Sequence, residues 1–186
     1  ECIKFFQTPD NKLPLFNGTS ENDLNNFEKY LESVKISKKK KKNVIGSIFF
    51  AKAKNQVLYF DIGGPPSKNF SKNYQSGPLS FEYFLDGLKI ITNCGFGNNI
   101  SAKAELLSRL TASQSTLTIN DTSITKFERN KLVNRVFGNS IKNTFKTKEF
   151  RDQNDKNLIG YSVSHNGYEK NFGCIHKREL YLDNDD

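Results

Sequence analysis

Residues 59–97 read YFDIGGPPSKNFSKNYQSGPLSFEYFLDGLKIITNCGFG, and this stretch decides the fold. Asp86-Gly87 is a pair that accepts positive φ at both positions, and the runs on either side alternate apolar and polar. With Asp86 and Gly87 as the loop, counting outward sets Leu85 opposite Leu88, Tyr83 opposite Ile90, Phe81 opposite Thr92 and Leu79 opposite Cys94. Strand side chains alternate with period two, so all of these share one face. Ser80, Glu82 and Phe84 share the other with Asn93, Ile91 and Lys89. One face is apolar and the other mixed, as expected for one layer of a β-sandwich whose mixed side is free to line something. Upstream, Gly63-Gly64-Pro65-Pro66 ends a strand, because proline cannot continue a central ladder.

Working outward toward the N-terminus, Val44–Ala53 and Gln56–Ile62 form a hairpin around Lys54-Asn55. Before it stand five lysines, Lys38–Lys42, whose mutual repulsion favours a solvated loop; a heparin-type or nucleic-acid contact is the sharper alternative. Ser20 is a helix N-cap with Asp23 at the capping-box position, and Leu24, Phe27, Leu31 and Val34 recur at helical spacing. That stripe predicts a helix over 21–34, packed on a sheet edge. Residues 1–18 read as irregular, interrupted by Pro9 and Pro14, with Phe5, Phe6, Leu15 and Phe16 as docking points. Toward the C-terminus, 95–103 is a loop and Ala104–Leu110 a helical turn. Ser115–Ile119 reads as a strand closed by Asn120-Asp121. Further short strands are expected around Val133–Phe137 and Thr144–Phe150. A last pair, Tyr161–His165 and Gly173–Asp183, turns around Asn166-Gly167. Short strands punctuated about every eight to twelve residues predict a mostly β chain. The expected architecture is an antiparallel β-sandwich, supersandwich-like, with a short N-terminal helix.

The chain has 186 residues, which suits one β-rich domain with an appendage. A domain of this size buries about 70% of its extended surface and folds without disulfide or metal. Formal net charge is +8, but only 5 of the 28 basic residues are arginine. Specific base and phosphate readers rely on the planar arginine fork, and the sequence has no aromatic-basic motif of the RNP kind, so a nucleic-acid partner is not expected. The charge fits attraction to another polyanion; a Lys, Asn, Ile and Phe excess also follows from AT-rich coding, with no function attached. Cys2, Cys94 and Cys174 are odd in number and lack C-x-x-C spacing, which reads as buried structural thiols rather than a metal or redox site. No apolar run approaches the ~20 residues of a membrane-spanning helix. The chain begins Glu1-Cys2-Ile3 without Met and is expected to be a piece of a longer protein, so a leader peptide is not readable from it.

Several segments together resemble the C-terminal domain of heparinase II/III-like proteins. They are Phe60-Asp61-Ile62-Gly63-Gly64-Pro65-Pro66, Gly77-x-Leu79-Ser80-Phe81-Glu82, Asn93-Cys94-Gly95 and Ser115-Thr116-Leu117-Thr118. Ser164-His165-Asn166-Gly167-Tyr168 follows, with Phe172-Gly173 and His176-Lys177-Arg178. Order and spacing match over roughly residues 3–182. The resemblance implies a bacterial polysaccharide lyase built from an N-terminal α/α-toroid and this sandwich. Such enzymes cleave uronate-containing acidic polysaccharides by β-elimination: a base takes the proton beside the carboxylate, a polar group neutralises that carboxylate, and a Tyr or His protonates the leaving oxygen. In the family most of these groups sit on the toroid. The resemblance therefore implies that residues 1–43 are a linker and helix leaving a missing toroid, and that 44–186 are the sandwich, inactive alone. It also implies an acidic polysaccharide and the toroid as partners, and a periplasmic or cell-envelope location. A non-catalytic module binding anionic polysaccharide is the alternative.

Characterised members hold a zinc on the sandwich through His, Asp and His, with a further His near the cleft. Carried over by motif, the three ligand positions are Gln75, Asn93 and Gln114, and the cleft position is Asn73. Neutral amides are poor zinc donors, so no zinc and no other cofactor is expected. An amide cluster hydrogen-bonding internally is expected where the metal would sit. The candidate cleft-lining residues are Asn73, Ser80, Glu82, His165 and His176. His165 reads most simply as a strand-end residue and His176 as part of a basic strand face, neither with a second His or carboxylate at ligand spacing. Glu82 is expected to form a cross-strand ion pair with Lys89.

Overall fold

Two antiparallel sheets face each other in this computed structural model, which describes residues 2–21, 24, 30, 33, 43–130, 132–134, 138–150 and 158–183. The first sheet is a five-stranded meander of β1 (Val44–Ile45), β2 (Ile48–Ala53), β3 (Gln56–Asp61), β4 (Phe81–Leu85) and β5 (Leu88–Ile91), in that order. The second has β6 (Thr147–Phe150), β7 (Leu158–His165) and β8 (His176–Asp183). The chain is therefore mostly β, with short helices at Cys2–Phe6, Ala102–Ser108 and Glu169–Phe172. The N-terminal helix Cys2–Phe6 falls in a segment read as irregular. The helix expected over 21–34 lies outside the described residues apart from Leu24, Tyr30 and Ser33, and Lys38–Lys42 lie outside them entirely.

The period-two pattern of the strands explains the layering. Phe49, Ala51, Ala53, Leu58, Phe60 and Leu79 from the first sheet's inner side meet Val163 and Leu182 from the second, with Phe81, Tyr83, Tyr161 and Leu180 at the margin. The sheet's other side is also covered. Ile48, Val57, Tyr59 and Phe84 pack under Phe16, Phe5 and Phe6 from the N-terminal segment, and the Tyr59 hydroxyl donates to the Gln7 carbonyl at 2.9 Å. The mixed face of the β4–β5 hairpin is thus closed over rather than open.

The Asp86-Gly87 turn forms as expected, with φ of 52° and 81°, and sets Leu85 opposite Leu88 and Phe84 opposite Lys89. Beyond that the counted register slips. A bulge inserts Ile90, so Tyr83 pairs with Ile91 and the expected Tyr83–Ile90 pairing does not occur. The extra residue brings the Thr92 hydroxyl and the Asn93 amide together on one oxygen of Glu82, at 2.7 and 3.1 Å. Because β5 is an edge strand, its apolar partners Leu88 and Ile90 are exposed.

Two expected strands do not form among the described residues. Ser115–Ile119 carries only an isolated bridge, Ile119 to Thr122. There the Ser115 hydroxyl accepts from the Phe81 amide and the Thr116 hydroxyl donates to the Pro78 carbonyl, so side chains replace a ladder. Residues 132–134 of the expected strand Val133–Phe137 are helical, because the Asn130 carbonyl oxygens, side-chain and main-chain, accept from the amides of Leu132 and Asn134; 135–137 lie outside the described residues. Cys94 and Cys174 are exposed free thiols, not buried ones.

Candidate functional site

The loop between β3 and β4 builds the site, and buried polar groups hold it. Arg109 is fully buried and follows the helix Ala102–Ser108, which Ser101 caps through the Ala104 amide. Its guanidinium donates to the carbonyls of Tyr74 (2.9 Å) and Ser71 (3.0 Å) and lies 4.0 Å over the Phe127 ring. Burial lowers its pKa to about 10, still far above neutrality, so the cation persists inside. The Ser71 hydroxyl accepts from the Ile141 amide, and the Ser76 hydroxyl accepts from the Thr125 amide and the Thr111 hydroxyl. Residues 71–76 are thereby fixed at both ends, which fixes Asn73, Tyr74 and Gln75.

Gln75 is 1% exposed. Its Nε2 donates to the carbonyls of Gly95 and Ser108, both at 2.9 Å, and its Oε1 accepts from the Gly18 amide at 2.9 Å. Gln114 donates from Nε2 to the same Ser108 carbonyl at 2.7 Å. The side-chain oxygen of Asn93 accepts from the amide (2.9 Å) and hydroxyl (3.0 Å) of Ser115, the residue after Gln114. The three amides therefore lie in one neighbourhood, joined through Ser108 and Ser115 rather than directly to one another. Gly77 is required beside them, since a Cβ there would stand 2.8 Å from Gln114 Cγ. These side chains do not fit a zinc ion: Gln75 uses both its amide nitrogen and its oxygen on the backbone, and Gln114 turns a donor inward. Among the described residues no group of three or more His, Cys, Asp or Glu could hold a metal.

Next to this cluster is a surface pocket of about 280 Å³, whose wall includes Asn17, Ser47, Asp61, Phe70, Asn73 and Tyr74. Asp61 ends β3 and is 5% exposed. One of its oxygens accepts from the Gly63 amide at 3.0 Å, the other from the Asn17 side chain at 3.1 Å. Burial dominates those two bonds and pushes its pKa up to about 7. The Tyr74 hydroxyl is raised well above its usual value by burial and then by Asp61. Asn17 and Gly18 form a turn with φ of 45° and 98°, which lets consecutive residues reach Asp61 and Gln75.

Of the residues singled out in the sequence, Asn73 is exposed in this pocket, while Ser80, just before β4, and Glu82, within it, are buried and do not line the pocket. Glu82 is fully buried and lies 3.9 Å from the Lys89 ammonium, and desolvation raises its pKa against the pull of Thr92 and Lys89. His165 and His176 face each other across β7 and β8, with Nε2 of His165 3.0 Å from Nδ1 of His176. This corrects the expectation that neither has a second His near it. The Gly167 amide donates to His165 Nδ1 at 3.0 Å, so His165 carries its proton on Nε2 and donates it to His176. Desolvation, then His176 and Arg178, lower the pKa of His165 to about 3, and desolvation and Arg178 lower that of His176 to about 4, so both are neutral at pH 7. Asp61 and Asn17, which shape the pocket, were not singled out; the buried Asp before Gly-Gly-Pro-Pro was the available signal.

A sequence model described as heparinase II/III-like, C-terminal, matches residues 39–186, and the chain belongs to that family. Among solved structures, the heparan sulfate lyase HepC of Pedobacter heparinus superimposes with a TM-score of 0.66 at 17% identity, covering 98% of this chain. A heparinase III with methylated lysines gives 0.65 at 15% identity over 97% of this chain. This chain spans 29% of the length of either structure, and identities this low show a shared fold. A comparison with curated proteins gave no match. Among the described residues no helix is long and apolar enough to cross a membrane.

Proposed function

We propose that this chain is the β-sandwich of a polysaccharide lyase-like protein that acts on uronate-containing acidic polysaccharides by β-elimination. Membership of the heparinase II/III-like family over residues 39–186 is the observation that carries this reading. The proton-abstracting and proton-donating groups belong, on this reading, to an α/α-toroid preceding residues 1–43. The sandwich braces that toroid and supplies one wall of the cleft, with Asn73 at its rim, and does not cleave alone. Glu82 is buried and the neutral His165–His176 pair is bonded to itself, so none of these three candidate residues stands ready at the surface to take a proton, in keeping with that division of labour. The location proposed is the periplasm or cell envelope.

A second reading is favoured by the engaged amides at Gln75, Asn93 and Gln114: a non-catalytic module that binds anionic polysaccharide. Assay of this chain, and of the longer protein that contains it, for unsaturated uronate products on a panel of acidic glycans separates the two. Product from the longer protein alone supports the lyase. Salt-sensitive glycan binding without product from either supports the binding module. Neither product nor binding overturns both.

A further inference from the structure

The pocket beside Asp61 has a wall chemistry opposite to that of the molecule as a whole. The chain carries a net charge of +8, yet among the described residues none that lines this pocket is Lys, Arg or His. What the wall offers instead is the Asn17 and Asn73 amides, the Ser47 hydroxyl, the Asp61 carboxyl and the Phe70 ring, which is 84% exposed. We infer that this pocket is a subsite for one uncharged, hydroxyl-bearing sugar ring, and that it turns away sulfate and carboxylate groups. The inference rests on the glycan-directed reading above and deepens it, by assigning the pocket to a neutral residue of the polysaccharide.

Sugar hydroxyls both donate and accept, which matches amides and a serine hydroxyl that do the same. An exposed aromatic ring gives a flat apolar surface for the C–H face of a pyranose. At about 280 Å³ the pocket falls just under the usual ~300–1,000 Å³ range of small-molecule sites, room for one ring rather than a run of them. Among the described residues the wall offers an anion no counter-charge. Ionised Asp61 repels it, and protonated Asp61 is merely neutral; in neither state does the wall attract it. The shape is also fixed in advance. Asn17 and the Gly63 amide hold Asp61, Arg109 holds the loop bearing Asn73, and a Cβ on Gly63 would meet Ser47 Cβ at 2.8 Å.

The test is amide-resolved NMR titration of the full chain with two oligosaccharides of equal length. One is an unsulfated probe with its uronate carboxyls reduced to alcohols, and the other is fully sulfated with its carboxylates intact. The expected result is that the neutral probe shifts the Gly63, Gly64 and Phe70 amides, and that Phe70→Ala or Asn73→Ala weakens this by about an order of magnitude. Both positions are exposed, so these variants keep the fold. Asn73→Arg, which sets a cation at the rim, is expected to let the sulfated probe in. Neutral-probe signals that stay in place, or a sulfated probe that moves the wild-type pocket amides more strongly, would overturn the inference. If the sulfated probe meanwhile binds elsewhere on the chain, the acidic-polysaccharide reading survives that failure. If the neutral probe seats in the pocket while the acidic one binds nowhere, the pocket stands and the acidic-polysaccharide reading falls.

Discussion

Asp61→Asn isolates the energetic cost of placing a carboxyl in the pocket wall. The pKa of Asp61 rises from 3.8 to about 7 on folding. Between those values the folded chain holds a proton that the unfolded chain has released, so stability falls as pH rises through this window and levels off above it. The shift of roughly three units corresponds to about 4 kcal/mol at ~1.36 kcal/mol per unit. Asparagine has the same shape and no such proton; its oxygen still accepts from the Gly63 amide, and its amide nitrogen can donate to Asn17 once the Asn17 amide turns to present its oxygen. The variant should therefore match wild type near pH 4 and be more stable by several kcal/mol near pH 8, of the order of the ~4 kcal/mol above. The His165–His176 pair complicates either profile taken alone. Their lowered pKa values make stability fall as pH drops below about 6.5, the opposite trend over part of the same range. Subtracting the two profiles removes that shared contribution. The assay is urea unfolding of both proteins across this pH range, read as a difference. A difference that stays flat with pH would refute the reasoning, because it would mean that water reaches Asp61 freely.

Against the gain from Asp61, acidification should cost wild type stability as the neutral His pair is forced to charge, with this loss developing from pH 6.5 down toward about 4 and about 3; His176→Gln should reduce it, so that the variant loses less than wild type in thermal melts followed over pH. At neutral pH, nitrogen-15 imidazole correlations should show His165 protonated on Nε2, and an Nδ1-protonated ring would contradict the bond from Gly167. Gly63→Ala should cost about 1–3 kcal/mol in chemical unfolding, because its Cβ meets Ser47 Cβ at 2.8 Å. Gln75→Leu keeps the bulk but strands the Gly18 amide and the Gly95 carbonyl, and should cost at least about 2 kcal/mol; a neutral outcome would mean that water takes their place.

Much of this architecture can be read in the chain because local rules act locally. Asp86-Gly87, Lys54-Asn55 and Gly63-Gly64-Pro65-Pro66 dictate their own backbone, and the strands between them follow. The Tyr83 register could not be counted, since period-two counting assumes no bulge, and Ile90 is inserted to bring Thr92 and Asn93 onto Glu82. Likewise, His165 and His176 are separated by a connection containing the helical turn Glu169–Phe172, and only the paired strands make them neighbours. The pocket was hidden for a related reason. Asn17 and Asp61 lie 44 residues apart and meet through a turn that needs a positive φ at Asn17.

The covering of the first sheet's far side by Phe5, Phe6 and Phe16 changes what counts as this domain. The family match begins at residue 39, whereas the superposition on the heparan sulfate lyase takes in 98% of the chain. A cut at the family boundary would strip Tyr59 and Phe84 of their roof and take away the Asn17 partner of Asp61. The region that sequence comparison delimits is thus smaller than the packed unit. A protein trimmed to the former would present a greasy, carboxylate-bearing sheet to water and self-associate.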